Sequence, residues 1–137
     1  MIGLEDFEGH WCLARRILDR RGRMLGRFEG MAVFAPDETG LRYSEAGTLR
    51  LGAAPPVPAR RAYLWRAEGA GIAVLFEDGR PFHRFSAAAP AARHDCAPDL
   101  YLVRYGFGHW PCWSARWRVT GPAKDYVMLG LYRRPQG

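Results

Sequence analysis

Two short spacings in this sequence have the residue types that chemistry needs. His10-x-Cys12 and His94-x-Cys96 each set an imidazole and a thiol two residues apart, which puts both on one face of an extended chain. A borderline-soft metal such as zinc accepts such ligands, and His83 and Asp99 could join His94 and Cys96. The two pairs lie far apart and share no recurring ligand spacing. The expectation is therefore no metal site, with His83, His94, Cys96 and Asp99 as the residues to check. His83 with Asp99, Glu45 or Tyr101 would also form an acid–base set for isomerisation, cyclisation or hydrolysis, which makes His83 the candidate catalytic residue. No serine or cysteine stands in a nucleophile motif, and no glycine-rich loop is spaced to cradle a phosphate. None of these patterns names a cofactor; haem held by one histidine is the alternative that an apolar cavity would admit.

Placing such side chains falls to short strands. Apolar and polar residues alternate with period two in runs broken by Gly, Pro and Asp, and no amphipathic run of helical period lasts longer than about two turns. The pattern predicts strands over 9–19, 24–35, 41–51, 60–68, 71–78, 81–86, 99–107, 112–120 and 124–134, and a helical turn at 3–7. Asp19-Arg20-Arg21-Gly22, Pro36 to Gly40, Glu68 to Gly71 and Asp78-Gly79-Arg80-Pro81 supply turn chemistry between them. The longer stretches Gly52 to Ala59 and Ala87 to Pro98 read as loops and as candidate lids. Strands in up-and-down order leave bare edges unless the sheet curls and closes. The expected fold is all-β, a single up-and-down antiparallel barrel of about 8–10 strands, with residues 1–137 as one domain.

Counting by twos assigns an inner face. Trp11, Leu13 and Ile17 share a side, as do Phe28, Gly30, Ala32 and Phe34, and so do Ile72, Val74 and Phe76. The same count groups Tyr101, Val103, Tyr105 and Phe107, and sets Trp113, Ala115, Trp117 and Val119 against Ser114, Arg116 and Arg118. Polar residues interrupt the apolar side: Arg15 between Leu13 and Ile17, Glu45 beside Tyr43, and His83 beside Phe85. A buried charge costs several kcal/mol unless it is paired or solvated. Several of them on one face imply a lined cavity for a small, largely apolar ligand with a polar or anionic head. Arg15 would meet the head group, and Tyr43, His83 and Tyr101 would hydrogen-bond it. Tyr63, Tyr105 and Tyr126 add hydroxyls, and Trp65, Trp113 and Trp117 form aromatic walls. In the alternative, Arg15 and Glu45 form a structural ion pair and the tyrosines belong to the core.

Composition narrows the partners. A chain of 137 residues, 48% hydrophobic, can bury one respectable core. It contains no apolar run long enough for a membrane helix, and its opening Met-Ile-Gly-Leu-Glu-Asp-Phe-Glu is acidic where a signal peptide is basic. A cytoplasmic protein with no membrane partner is expected. The net charge of +6 is carried almost wholly by arginine, since Lys124 is the sole lysine. The arginines are scattered, with only short doublets such as Arg20-Arg21 and Arg60-Arg61, so no nucleic-acid partner is expected. Lys124 would pair with Asp125 or greet an anionic ligand. Cys12, Cys96 and Cys112 are odd in number and fit reduced thiols. A homodimer is left open.

Phe7-Glu8-Gly9-His10-Trp11 carries a Gly-x-Trp ahead of the first strand, and Arg133 or Arg134 ends the last. The combination resembles the lipocalin-like (calycin) superfamily. That resemblance implies that one of the two arginines packs over Trp11 and closes the barrel base. The chain as a whole resembles a bacterial family of unknown function, DUF6314. The resembling segments are Phe7 to Trp11 with Arg15 and Ile17, Tyr43 to Leu49, Asp78 to His83, His94 to Tyr101, and Gly121 to Tyr126. The resemblance implies a fold and supplies no activity.

Overall fold

A computed structural model describes residues 2–136. After a 3-10 turn at Leu4–Phe7, the alternating runs become ten strands: β1 Gly9–Asp19, β2 Met24–Pro36, β3 Leu41–Leu51, β4 Val57–Glu68, β5 Gly71–Phe76, β6 Pro81–Phe85, β7 Ala91–Cys96, β8 Asp99–His109, β9 Cys112–Thr120 and β10 Asp125–Arg133. They lie in one sheet in the order β6-β5-β4-β3-β2-β1-β10-β9-β8-β7, every neighbouring pair antiparallel. Pairing of β1 with β10 joins the two halves of the chain into one curled sheet, a nearly closed up-and-down barrel. The two remaining edges, β6 and β7, meet at a seam where the Phe82 and His94 rings pack with centroids 5.1 Å apart.

The sheet can coil this tightly because β2 and β3 cross at paired glycines. Gly30 lies opposite Gly47, and a Cβ on either would stand 2.2 Å from a backbone oxygen of the facing strand. Only glycine allows that approach.

One end of the barrel is sealed. Phe7 of the 3-10 turn is fully buried and packs against Phe34, Trp65 and Trp113 at centroid distances of 5.6, 5.2 and 5.2 Å. Trp11 donates its indole N–H to the Phe7 carbonyl at 2.8 Å. Of the two candidate arginines, Arg134 stacks on Trp11, its guanidinium carbon 3.7 Å from the ring centroid, while Arg133 is exposed. Arg134 also donates to the carbonyls of Asp6, Glu8 and His10, tying the turn to β1.

The structure corrects three expectations. The stretch Ala87 to Pro98 is not a lid, because β7 occupies Ala91–Cys96 and pairs with β8. Its Ala-Ala-Arg-His-Asp-Cys sequence has no strong strand formers; pairing with β8 holds it extended where propensity alone would not. The loop after β3 is shorter than expected, since β4 begins at Val57. Lys124 pairs with Asp99 at 2.9 Å and not with Asp125, which turns outward to Arg118.

Candidate ligand site at the open end of the barrel

The inner faces fall as the alternation requires, with Trp11, Leu13, Phe28, Ala32, Phe34, Val103, Tyr105, Trp113, Ala115 and Val119 all buried. Arg15, Glu45 and His83 are the buried polar residues, 7%, 3% and 8% exposed. Arg15 and Glu45 meet in a bidentate pair: two guanidinium nitrogens donate to the two carboxylate oxygens at 2.6 and 2.9 Å. Tyr43 donates its hydroxyl to Glu45 and also touches the Tyr132 hydroxyl at 2.8 Å. Burial pushes the Glu45 carboxyl up, but Arg15, Arg61 and Tyr43 together outweigh it and hold the group below the usual carboxylate range. Burial likewise opposes the Arg15 charge, and the Glu45 hydrogen bonds overcome it. Two charges thus share the barrel interior as one nearly neutral unit.

β6 reaches inside by a bulge. Val74 pairs with His83 and Leu75 with Pro81, so Phe82 is an extra residue and both rings turn in. His83 Nε2 lies 2.7 Å from the Tyr105 hydroxyl. Burial, aided by nearby His94, lowers its pKa to about 3. A neutral imidazole that weakly basic is poorly suited to acid–base work at neutral pH. His83 Nδ1 and Trp113 Nε1 are buried with no hydrogen-bond partner among the described residues. Both residues line a small internal space of about 20 Å³, room for about one water.

Above that packed waist the barrel opens. A concave space of about 650 Å³ is walled by Tyr63, Phe76, Phe82, Tyr101, Trp117 and Tyr126, with Arg61, Arg80, His94, Asp95 and Cys96 around it. Its size falls within the usual range of small-molecule pockets, about 300–1,000 Å³. Arg61 borders both this space and the internal one. Its guanidinium lies 5.3 Å from the Trp117 ring centroid and 3.7 Å from Glu45, and the side chain is 33% exposed. Glu45 is already matched by Arg15, so Arg15, Glu45 and Arg61 leave one positive charge uncompensated at the floor of the open end. At the rim, Arg80 is paired with Asp78 and Asp95 with Arg93.

The sequence-predicted site residues divide between these two places. Tyr63, Tyr101, Trp117 and Tyr126 border the open end. Arg15, Tyr43, Glu45, Trp65, His83, Tyr105 and Trp113 lie in the packed waist below it, with Tyr63 and Trp117 spanning both. His94 and Cys96 share the mouth, whereas His83 is interior and Asp99 is taken by Lys124. Among the described residues, no three of His, Cys, Asp or Glu gather closely enough to hold a metal ion. All three cysteines are unpaired. Arg61, Phe82 and Tyr132 were not anticipated. Arg61 was legible by two-residue spacing from Tyr63 and Trp65, and Tyr132 by continuing the count by twos from Tyr126. Phe82 depends on a bulge that alternation conceals.

No match was found among curated proteins. Among solved structures, the S-type phycobiliprotein lyase CPES from Guillardia theta is similar, with a TM-score of 0.65 at 10% identity over 98% of this chain and 91% of that one. That likeness is one of fold, a lipocalin-like barrel. The sequence itself matches a family model over residues 7–134, which span all ten strands, and the chain belongs to that family, the family of unknown function DUF6314.

Proposed function

We propose that this barrel binds a small amphipathic anion at its open end, with the apolar body against Trp117, Tyr63 and Phe82 and the anionic head on Arg61. The observation that carries this reading is the uncompensated, part-exposed Arg61 guanidinium at the floor of an aromatic-walled space of about 650 Å³. A planar guanidinium suits a carboxylate or sulfonate, and a charge-assisted contact in a half-dry pocket contributes about 1.5–3 kcal/mol. Arg15 serves the site indirectly: by neutralising Glu45, it leaves Arg61 free for a ligand. The packed waist sets the depth, so the ligand sits in the mouth rather than passing to the sealed end. The name of the structural neighbour, a phycobiliprotein lyase, supports including a bilin among the probes.

Fluorescence titration with 8-anilinonaphthalene-1-sulfonate and with biliverdin tests this. Arg61→Ala is expected to weaken binding at least about tenfold, and Arg61→Lys less, while Arg20→Ala at a distant turn leaves it unchanged. Equal affinity in the wild type and Arg61→Ala would sink the role given to Arg61.

A further inference from the structure

The outer surface carries an arrangement that the ligand site does not use. The sequence spreads its arginines in short doublets, but strand register gathers five of them into one row. Arg104 lies opposite Arg116, Arg116 opposite Leu129, Leu129 opposite Arg16, Arg16 opposite Arg27, and Arg27 opposite Arg50. All six residues are exposed. Among the described residues only Arg27 of these five arginines lies near an acid, Glu29 at 3.7 Å. Like charges directly opposite one another in a sheet oppose its stability. The row therefore holds repulsion that an anionic partner would relieve.

The middle of the row borders a groove of about 610 Å³ over β10, β1 and β2, with Ala14, Leu129 and Leu131 along it and Arg16, Met24 and the paired Arg27 and Glu29 beside it. Leu131 and Met24 are 52% and 55% exposed. Exposed leucine and methionine flanked by arginine, with no lysine, is the composition of a protein-binding surface. Every Phe, Tyr and Trp on the six strands from β8 round to β3 belongs to the inward alternation and is buried or half-buried, so nothing on this face offers a stacking platform for bases. A second copy of the chain would set arginines against arginines. Because the row curves with the barrel, a flat globular surface would touch only its middle, whereas an extended segment can follow it.

We propose that this outer face docks an extended acidic polypeptide segment, acidic side chains meeting the arginine row and apolar ones entering the groove. Five strand intervals of about 4.8 Å give a row of roughly 24 Å, the reach of about seven extended residues.

The test is fluorescence anisotropy of the full chain with a labelled peptide of alternating Glu and Leu, of about eight residues, and with an oligouridylate of equal length as rival. Arg16→Ser/Arg27→Ser is compared with Arg20→Ser/Arg21→Ser, which removes the same charge at an exposed turn. The proposal expects at least about tenfold weaker peptide binding for the first pair, less than about twofold for the second, and further weakening by Leu131→Ser. Thermal melts check that each variant folds. Equal weakening by both pairs would reduce the effect to net charge and overturn it. So would tighter binding of the oligouridylate through Arg16 and Arg27, or peptide affinity indifferent to all three changes.

Discussion

Removing the Glu45 carboxylate leaves the Arg15 guanidinium buried without its counter-charge, the costly half of a desolvated pair. Glu45→Gln should therefore destabilise the fold by about 3–5 kcal/mol in urea melts, and Arg15→Met with Glu45→Leu should recover most of it. A loss below about 1 kcal/mol for the single change would mean that the pair is solvated. His83 makes a separate, pH-dependent contribution. Its folded pKa of about 3 lies below the ordinary 6.5 because the imidazole is buried. The unfolded chain therefore takes up a proton between pH 6.5 and 3 that the folded chain refuses. This contribution is complete above pH 6.5 and is lost as the pH falls through that window, by up to about 1.4 kcal/mol per unit. Between pH 6.5 and 5.5 the Glu45 carboxylate is ionised in the folded and the unfolded chain alike, so the slope there belongs to histidine, and His83→Gln should flatten it. An unchanged slope in that variant would assign the pH dependence elsewhere. At this scale the sequence was informative about placement and left the partners open. Arg15, Glu45 and His83 all stood out as polar residues on an apolar face, and the Arg15–Glu45 ion pair that the structure forms stood as the alternative to Arg15 meeting a head group, but nothing in the spacing showed that Arg61 would be left over.

Elements that follow strict alternation were readable, and those that depend on a neighbour were not. β1, β3 and β9 begin and end where the pattern and the flanking turns place them. β7 is a strand only because β8 lies beside it, and the Phe82 bulge exists only because β5 sets its register. The seal on the closed end rests on three elements meeting: the 3-10 turn, β1 and the residue after β10. Arg134, that residue, reaches the other two through its ring stack on Trp11 and its hydrogen bonds to three carbonyls. Arg134→Ala should cost about 1–2 kcal/mol and speed amide exchange in residues 4–8 without altering ligand affinity at the other end. Faster exchange spread evenly over all ten strands would show that Arg134 supports the barrel at large rather than its base.

Across the whole molecule, pairing of β1 with β10 and packing of β6 against β7 give a barrel with unequal ends. Aromatic packing fills the base, the Arg15–Glu45 unit and the bulged β6 fill the waist, and the larger space is at the mouth, about 650 Å³ against about 140 Å³ beside the 3-10 turn. The all-β barrel followed from alternation, turn chemistry and the need to remove edges. The extent to which its interior is filled did not, because alternation says which side chains point inward but not how much room they leave. The polarity of the ends has a direct test in isotope-filtered nuclear Overhauser contacts from bound 8-anilinonaphthalene-1-sulfonate to the protein. Seating at the mouth predicts contacts to the Tyr63, Phe82 and Trp117 rings. Contacts confined to Leu129 and Leu131 on the outer face, or to the Phe7 and Trp11 end, would contradict it.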